Sequence, residues 1–548
     1  MVAEAWDIRD LLAESPTPQV LTTTEVEALA EELTAYHAHF APFFARSEQR
    51  GWAAIYLRGL LIADIPRKNV EAIALRLLGA GEGADRRVRA LQQFIGEGGW
   101  DYDAILAEHR RLVDESLGEA DGVLIVDGSD IAKRGDHSAG AARQWCGSTG
   151  KTDLCQAGVF LGYASRKGYT LLDRRLYLPK EWFAADHRAR WDACRIPKDT
   201  PLASKTELAG RMVEAAVAGG LRAGWLTCDE WYGRDSSFLD RVAAAGLAYL
   251  AEVGKSTRVW PLLDLVTGEA RVHPQTWTPP RNPSGKGRTP VRVRLQPNSP
   301  APLRVDALAA QLPADQWHRY RVLEGARGPL VADFAALRAV AVRDGLPGPE
   351  VWVVLRRPLV ESGEQPELKY FLAHAPADTP LATLVRVSGL RWPIESCFEE
   401  GKEEVGLDHY ELRFWRGWHH HMTLVILAHH FLVRLRLRLQ QRGGAPPAAD
   451  RRTDAGPGGL PGRVATVQSV PGAPAPASTR PHAAASPLAA PRCPAPPGAR
   501  RGPRLGARRL LATPQPRRLP LTPQTHAPAP GGARALTHVS LSYWLNDF

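Results

Sequence analysis

The chain lacks the features that would place it in a membrane or in an oxidising compartment. The N-terminal run Met1-Val2-Ala3-Glu4-Ala5-Trp6-Asp7 is acidic and leads into no apolar segment, so neither a secretory signal nor a transmembrane helix is expected, and the chain reads as cytoplasmic. Its six cysteines form no C-x-x-C pair, and the nearest two, Cys146 and Cys155, have no His or Cys partners at zinc spacing. They are expected to be reduced, buried thiols. The most uneven shortage is of Lys and Glu at the C-terminus: residues 442–548 hold 14 Arg and 3 Asp but neither Lys nor Glu, a net charge of +11. The whole chain carries +10, so the body before that tail has 55 basic and 56 acidic side chains, a net of −1. Affinity of the body for a polyanion must therefore rest on local patches such as Lys133-Arg134, Arg143 with Lys151, Arg391 with Lys402, and Arg413 with Arg416.

The tail is dominated by Pro, Ala, Gly and Arg with no sustained period, which cannot bury enough apolar surface to offset its ordering entropy, so it is expected to be disordered. Two readings stay open: a basic arm that holds DNA nonspecifically, or GC-rich codons read out of frame after a shift near residues 440–450. The 548 residues suffice for two or three domains.

Among what is present, Leu390 to Lys402 carries the most information. Pro393 suits the first turn of a helix and no other breaker follows before Gly401, so a helix is predicted to start near Pro393. At 100° per residue, Glu395, Glu399 and Lys402 fall within about 60° of one another, with Arg391 just upstream. A carboxylate for a metal beside cations for phosphates is what phosphodiester chemistry requires, although a solvated helix with i,i+4 ion pairs has the same pattern. Two further acids follow buried-strand runs. Asp127 ends Val123-Leu124-Ile125-Val126, with Gly128-Ser129-Asp130 read as the break, and Asp229 ends Trp225-Leu226-Thr227-Cys228.

Between these acids, Gln156–Ala164 and Tyr169–Leu178 read as paired strands and Lys205–Ala218 as a helix. Ser236–Ala245 then reads as a helix and Leu247–Val253 as a strand. The order three strands, helix, strand, helix, strand resembles the ribonuclease H-like fold, an α/β class. Arg391, Glu395 and Lys402 in turn resemble the R-E-K part of the Y-R-E-K signature of bacterial insertion-sequence transposases of the DDE type. Val126-Asp127-Gly128-Ser129 followed by Lys133-Arg134-Gly135, Ala142-Arg143-Gln144-Trp145, Tyr177-Leu178-Pro179 with Glu181-Trp182, and Cys228-Asp229-Glu230-Trp231-Tyr232-Gly233 are similar to segments flanking the first two acids in one branch of that family. The likeness spans about residues 40–435. Two departures stand out: Ser388 occupies the place of the signature tyrosine, and Asp130 adds an acid placed one turn after Asp127.

The resemblance implies that Asp127, Asp229 and Glu395 are the catalytic and metal-binding residues, holding two Mg²⁺ ions about 3.5–4 Å apart, with Mn²⁺ as a substitute. It implies DNA as partner, both the terminal inverted repeats and the target, and a homodimer bridging two ends. Arg391 and Lys402 would clamp phosphates, with Lys133, Arg143 and Trp231 as further DNA contacts; Trp231 reads equally as a base-stacking ring or core filler. Five segments follow: a helical domain over 1–118, which the resemblance makes DNA-binding although a cap or dimer contact has the same pattern and no clear helix-turn-helix signature is present, the first part of the core over 119–254 and a mostly β insertion over 255–380. The glutamate helix and closing helices occupy 381–441, and the tail 442–548. The N-terminal helices are expected at Thr24–Phe44, Trp52–Ile62, Asn69–Leu78, Asp85–Phe94 and Tyr102–Leu117. Insertion strands are expected at Arg258–Trp260, Val291–Leu295, Tyr320–Leu323, Val351–Arg357 and Leu368–Ala373, with Lys286 and Arg288 in a loop between them. The histidines of Trp418-His419-His420-His421 and His429-His430 lack zinc spacing, and the apolar run Met422–Leu432 predicts a packed helix there.

Overall fold

Five helices open the chain: α1 (Thr23–Ala38), α2 (Ser47–Leu61), α3 (Val70–Leu78), α4 (Ala84–Glu97) and α5 (Tyr102–Leu117). The computed structural model describes residues 23–280, 291–325, 328–359 and 367–442, so Lys286, Arg288, Cys493 and all but the first residue of the 442–548 tail lie outside the described residues. Apolar spacing of three and four located all five helices. The first is shorter than expected, ending at Ala38 before a short 3₁₀ turn at Ala41–Phe43. Helix starts have local causes: the side chains of Asn69 and Asp101 accept backbone N–H bonds at the first turns of α3 and α5.

The core sheet is built from β1 (Val123–Ala132), β2 (Ala142–Cys146), β3 (Lys151–Ser165), β4 (Gly168–Leu176), β5 (Trp225–Cys228) and β6 (Ala248–Val253). β3 runs antiparallel to β1 and carries β4 on one stretch and β2 on another, while β5 lies parallel to β1 and β6 parallel to β5. The spatial order β4-β3-β1-β5-β6 is that of a ribonuclease H-like core, with β2 as an added hairpin strand. α6 (Arg188–Ala193), α7 (Lys205–Ala218), α8 (Glu230–Gly233) and α9 (Ser236–Ala244) fill the connections. α7 has the limits predicted for it, opened by a reciprocal Ser204/Glu207 capping box.

One expectation at β1 is corrected. Gly128-Ser129-Asp130 does not break the strand, which continues to Ala132 because β3 stays paired with it throughout, Asp127 opposite Phe160 and Asp130 opposite Ala157. Asp130 is therefore not a helical turn from Asp127 but on the opposite face of the same strand, where its carboxylate accepts the Gly147 N–H at 3.0 Å and pins the β2–β3 turn.

The insertion adds β7 (Arg258–Pro261), β8 (Thr276–Trp277), β9 (Arg294–Leu295), β10 (Leu303–Arg304), α10 (Val305–Gln311), β11 (His318–Gly325), β12 (Gly328–Arg343), β13 (Leu346–Pro358) and β14 (Lys369–His374). Val291–Leu295 shortens to its last two residues, and the sixteen-residue β12 was not foreseen. Nor does the insertion interrupt the sheet: β14 pairs antiparallel with β6, Phe371 opposite Glu252, and carries β13 and β12 outward.

Three helices close the fold: α11 (Leu381–Gly389), α12 (Pro393–Glu403) and α13 (Trp415–Arg442). Alternation along β1 sorts the two layers. Val123 and Ile125 face the cluster containing Ile394, Phe398 and the inward side of α13, whereas Leu124 and Val126 face α7 and α9. α13, roughly 42 Å long at 1.5 Å per residue, buries Trp418, Met422, Val425, Ile426 and Phe431. Each such side chain contributes about 1.5–3 kcal/mol by its burial. Its five histidines are buried as expected of a packed helix, and each has a partner: Trp415 O for His419, Ile95 O for His420, Tyr56 for His421, Glu400 for His429 and Tyr36 for His430. Burial pushes His420 down to about 3 and His421 to about 4, so both are neutral packing groups at physiological pH. Through His420, His421 and His430 the N-terminal helices pack on the core. Among the described residues all five cysteines are free and buried, and no helix is long and apolar enough to cross a membrane.

Candidate active site

Asp127 follows the last residue of β1 that pairs with β5, Val126 opposite Cys228, so Asp127 and Asp229 stand side by side where the parallel pairing ends. Both side chains face the α12 layer, as the alternation from Val123 and Ile125 requires. Asp127 accepts the Gly128 N–H at 2.7 Å. Asp229 caps the short α8, accepting the Tyr232 N–H at 3.1 Å. Gly233 at the end of α8 fits so closely to β6 that a Cβ there would fall inside contact distance of the Glu252 carbonyl oxygen. Gly233→Ala is therefore expected to cost about 1–3 kcal/mol by forcing backbone apart, read as a lower denaturation midpoint in urea with an unchanged slope.

Glu395 sits in the first turn of α12, which begins at Pro393 as the sequence predicts. Its approach to the strand acids is made through Arg391, whose guanidinium lies 2.5 Å from the Glu395 carboxylate and 3.6 Å from that of Asp127. Arg391 was expected to face phosphate; here its charge is shared between two carboxylates that would otherwise repel.

Burial first, and the charge of Asp229 second, push Asp127 up to about 7, and burial also raises Asp229. A carboxylate that resists ionisation for these reasons is stabilised as the anion by added positive charge. The donors are all hard oxygens, the set that suits Mg²⁺. No three His, Cys, Asp or Glu side chains among the described residues are already converged at ligand distance. The donor chemistry fits divalent ions, and Arg391 fills the gap between Asp127 and Glu395 in this form.

A fourth acid was missed. With Cys228 opposite Ala251, the register carries on to set Glu252 beside Asp229, which puts Asp127, Asp229 and Glu252 in one row across three parallel strands. Glu252 is anchored by Lys369 of β14 at 2.7 Å, and its charge acts on Asp229 and Arg391. The signal was available, since Tyr249-Leu250-Ala251 is the same kind of buried run that precedes the two aspartates.

The cations divide. Lys402, two turns beyond Glu395, lines a groove of about 650 Å³ together with Lys133, Arg134 and Arg413, and has no ion-pair partner among the described residues. Lys133 is partly committed: its ammonium donates to Tyr410 O at 3.0 Å and lies over the Tyr410 ring, and burial lowers it to about 8. Arg143 is not in that groove; it is exposed on β2 beside Trp145, whose ring is 65 % exposed. Trp231 is 38 % exposed, which removes the core-filler reading, and it carries Arg234 over its ring at 5.1 Å. Ser388, in the place of the signature tyrosine, is buried and donates to Val385 O at 2.7 Å within its own helix.

A family model described as a DDE superfamily endonuclease matches residues 39–329, just over half of the chain. That stretch takes in Asp127, Asp229 and Glu252 but ends before Glu395. No curated protein matches the chain significantly.

Proposed function

Since the chain belongs to the DDE superfamily endonucleases, we propose that it is the transposase of an insertion sequence, one that binds terminal inverted repeats, cuts at the element's ends and joins the freed 3′ ends to target DNA. The observation that carries this reading is the side-by-side placement of Asp127 and Asp229 across parallel strands, with Arg391 tying Asp127 to Glu395. Asp127, Asp229 and Glu395 are proposed as the ligands of two Mg²⁺ ions. When bound, such ions supply activation of the attacking oxygen and stabilisation of the leaving 3′ oxygen. Glu252 is proposed to position Asp229 from the side while Lys369 keeps it from adding uncompensated charge.

Arg391 is proposed to hold the site together before substrate arrives and to turn its guanidinium to a backbone phosphate once other positive charge sits among the acids. The groove lined by Arg67, Lys133, Arg134, Lys402 and Arg413, which outnumber its acids Asp130, Asp408 and Glu411, would take the adjoining strand by its phosphates. Arg143 and Trp231 would meet DNA outside that groove. The proposed Y-R-E-K assignment rests on Arg391, Glu395 and Lys402 alone, because Ser388 stands where the signature has tyrosine. Two copies acting on paired ends complete the proposal.

The test uses duplex DNA carrying the repeats that flank the coding sequence, with Mg²⁺ and a target duplex. Wild type should nick at the repeat boundary and yield joined products, and Glu395→Gln should lower both by roughly a thousandfold, as expected for loss of several kcal/mol of transition-state stabilisation. Nicking without joined product would reduce the function to hydrolysis. Nicking untouched by the substitution would remove Glu395 from the site.

A further inference from the structure

One arginine of the insertion stands apart from its neighbours. Arg319 and Arg357 share Asp333 at 3.0 and 3.2 Å, Arg338 meets Glu350 at 2.9 Å and Arg343 meets Asp240 at 3.1 Å. Arg356 is half-buried on β13, yet it has no ion pair and no side-chain hydrogen bond among the described residues.

Register puts this arginine on the face of the acids. Arg356 stands opposite Lys369 of β14, Lys369 lies two residues before Phe371, and Phe371 stands opposite Glu252 of β6. Residues directly opposed across a ladder, and residues two apart along a strand, share a face. Arg356 therefore points to the same side as Glu252, Asp229 and Asp127, two strand spacings or about 10 Å across the sheet from β6. The 2.7 Å contact of Lys369 with Glu252 fixes that side independently. Arg357, one residue on, faces the other way and lies over the Trp317 ring at 4.3 Å.

The surroundings of Arg356 make its charge costly. Phe334 stands opposite on β12, and the Phe371 ring centre is 6.0 Å from the guanidinium carbon, at the outer edge of a cation–π contact. Both phenyl rings are buried. Burial disfavours the charged guanidinium first, the charge of Glu252 partly offsets this, and the charge of Arg391 adds to the penalty. Glu252 is already held by Lys369, so Arg356 is a partly desolvated cation facing a second cation. Such a charge is unfavourable until an anion meets it. A snorkelling side chain would account for the covered stem, but not for a head kept within reach of Arg391.

Resting on the transposase reading, we propose that Arg356 binds a phosphate of the DNA strand laid across the acids, so that the insertion supplies a substrate-binding residue to the active site. The groove of Lys133 and Lys402, which takes in Ile131 to Arg134 of β1, lies beyond Asp127, and Arg356 lies beyond Glu252. The strand would thus be held by cations on both sides of the row of acids.

The experiment follows binding of the full chain to a duplex carrying the flanking repeat, by fluorescence anisotropy over a salt series without divalent metal, and follows nicking separately with Mg²⁺. Arg356→Met keeps an apolar stem and removes the charge. It should lower the slope of log affinity against log salt by about 0.9, the share of one phosphate, and cut nicking at subsaturating DNA by about tenfold. It should melt no lower than wild type, because no carboxylate loses a partner. Arg356→Lys should restore the slope but not the full nicking rate, since the charge returns without the fork. Arg357→Met should match wild type in both readouts. An unchanged slope in Arg356→Met, or a lower melting point with neither readout regained by lysine, overturns the proposal. If wild type binds but never nicks, the transposase reading fails while the slope still decides the role of Arg356. If wild type nicks at the repeat boundary and the slope is unchanged in Arg356→Met, Arg356 alone is removed from the site.

Discussion

Asp127→Asn should end DNA nicking and, at pH 8, make the protein more stable. The first effect follows from the proposed role: losing a ligand that stabilises charge in the transition state costs several kcal/mol, or about three decades in rate. The second follows from what the site costs the fold. Burial and the neighbouring Asp229 raise Asp127 to about 7, well above the usual range near 3.8 of an aspartate. Because the folded value is the higher one, the neutral acid favours the folded state. Its contribution is fully present below about pH 3.8 and is lost as pH rises through 7. By pH 8 the folded protein holds a desolvated anion beside another, and an amide removes that repulsion. The gain is set at about 1–3 kcal/mol, less than the full shift implies, because Asn also loses the attraction of Arg391. Thermal unfolding of both proteins at pH 8 and pH 4, without divalent metal, reads it: the variant should melt higher at pH 8, with the gap closing at pH 4. A variant that melts lower at pH 8 would mean that the Arg391 contact outweighs the carboxylate repulsion.

Glu400→Ala should destabilise the protein by about 3–5 kcal/mol without touching a proposed ligand. Glu400 gathers three elements: Tyr169 of β4 donates at 2.8 Å, His429 of α13 lies at 2.9 Å and Arg436 of α13 at 3.3 Å. Burial alone would raise its carboxyl, but the His429 hydrogen bond and the Arg436 charge outweigh it and bring the group down to about 2. Removing it leaves a tyrosine hydroxyl, an imidazole and a guanidinium facing one another with no anion, the costly way to break a buried ion pair. The folded value is depressed, so the contribution is present above the ordinary value of 4.5 and fades as pH falls toward 2. Urea unfolding at pH 7 should show the full loss, and the two proteins should converge near pH 2. Equal midpoints at pH 7 would show that α12 is held on β4 by packing alone.

Much of the frame was legible because local chemistry and tertiary packing agree there. The spacing that fixed α5 and α7 is also what buries them, and Pro393 marks the start of α12 because only a first turn tolerates it. Where they disagree, the reading failed. β12 contains Phe334-Ala335-Ala336-Leu337-Arg338-Ala339, residues that locally favour helix, and it is a strand because β7, β11 and β13 all pair with it. Gly128 looked like a stop, yet β3 carries the strand on. Around the candidate site, the strand ends that carry Asp127 and Asp229 and the helical turn that carries Glu395 could be read from runs and periods. The buried run before Glu252 marks it as a strand-end acid, but only the register sets it beside Asp229, and a sequence cannot show that Arg391 lies between Asp127 and Glu395.

The bond between β6 and β14 sets a limit on engineering. An insertion that hung from the core by two linkers could be trimmed away to leave a minimal enzyme, but here it supplies the next strand of the same sheet. Excising it would bare the backbone of β6 as an open edge, the template on which chains stack into aggregates. It would also strip Glu252 of Lys369 and leave an unpaired charge in the row of acids. Shortening this protein therefore has to proceed from the outer strands inward and stop before β14.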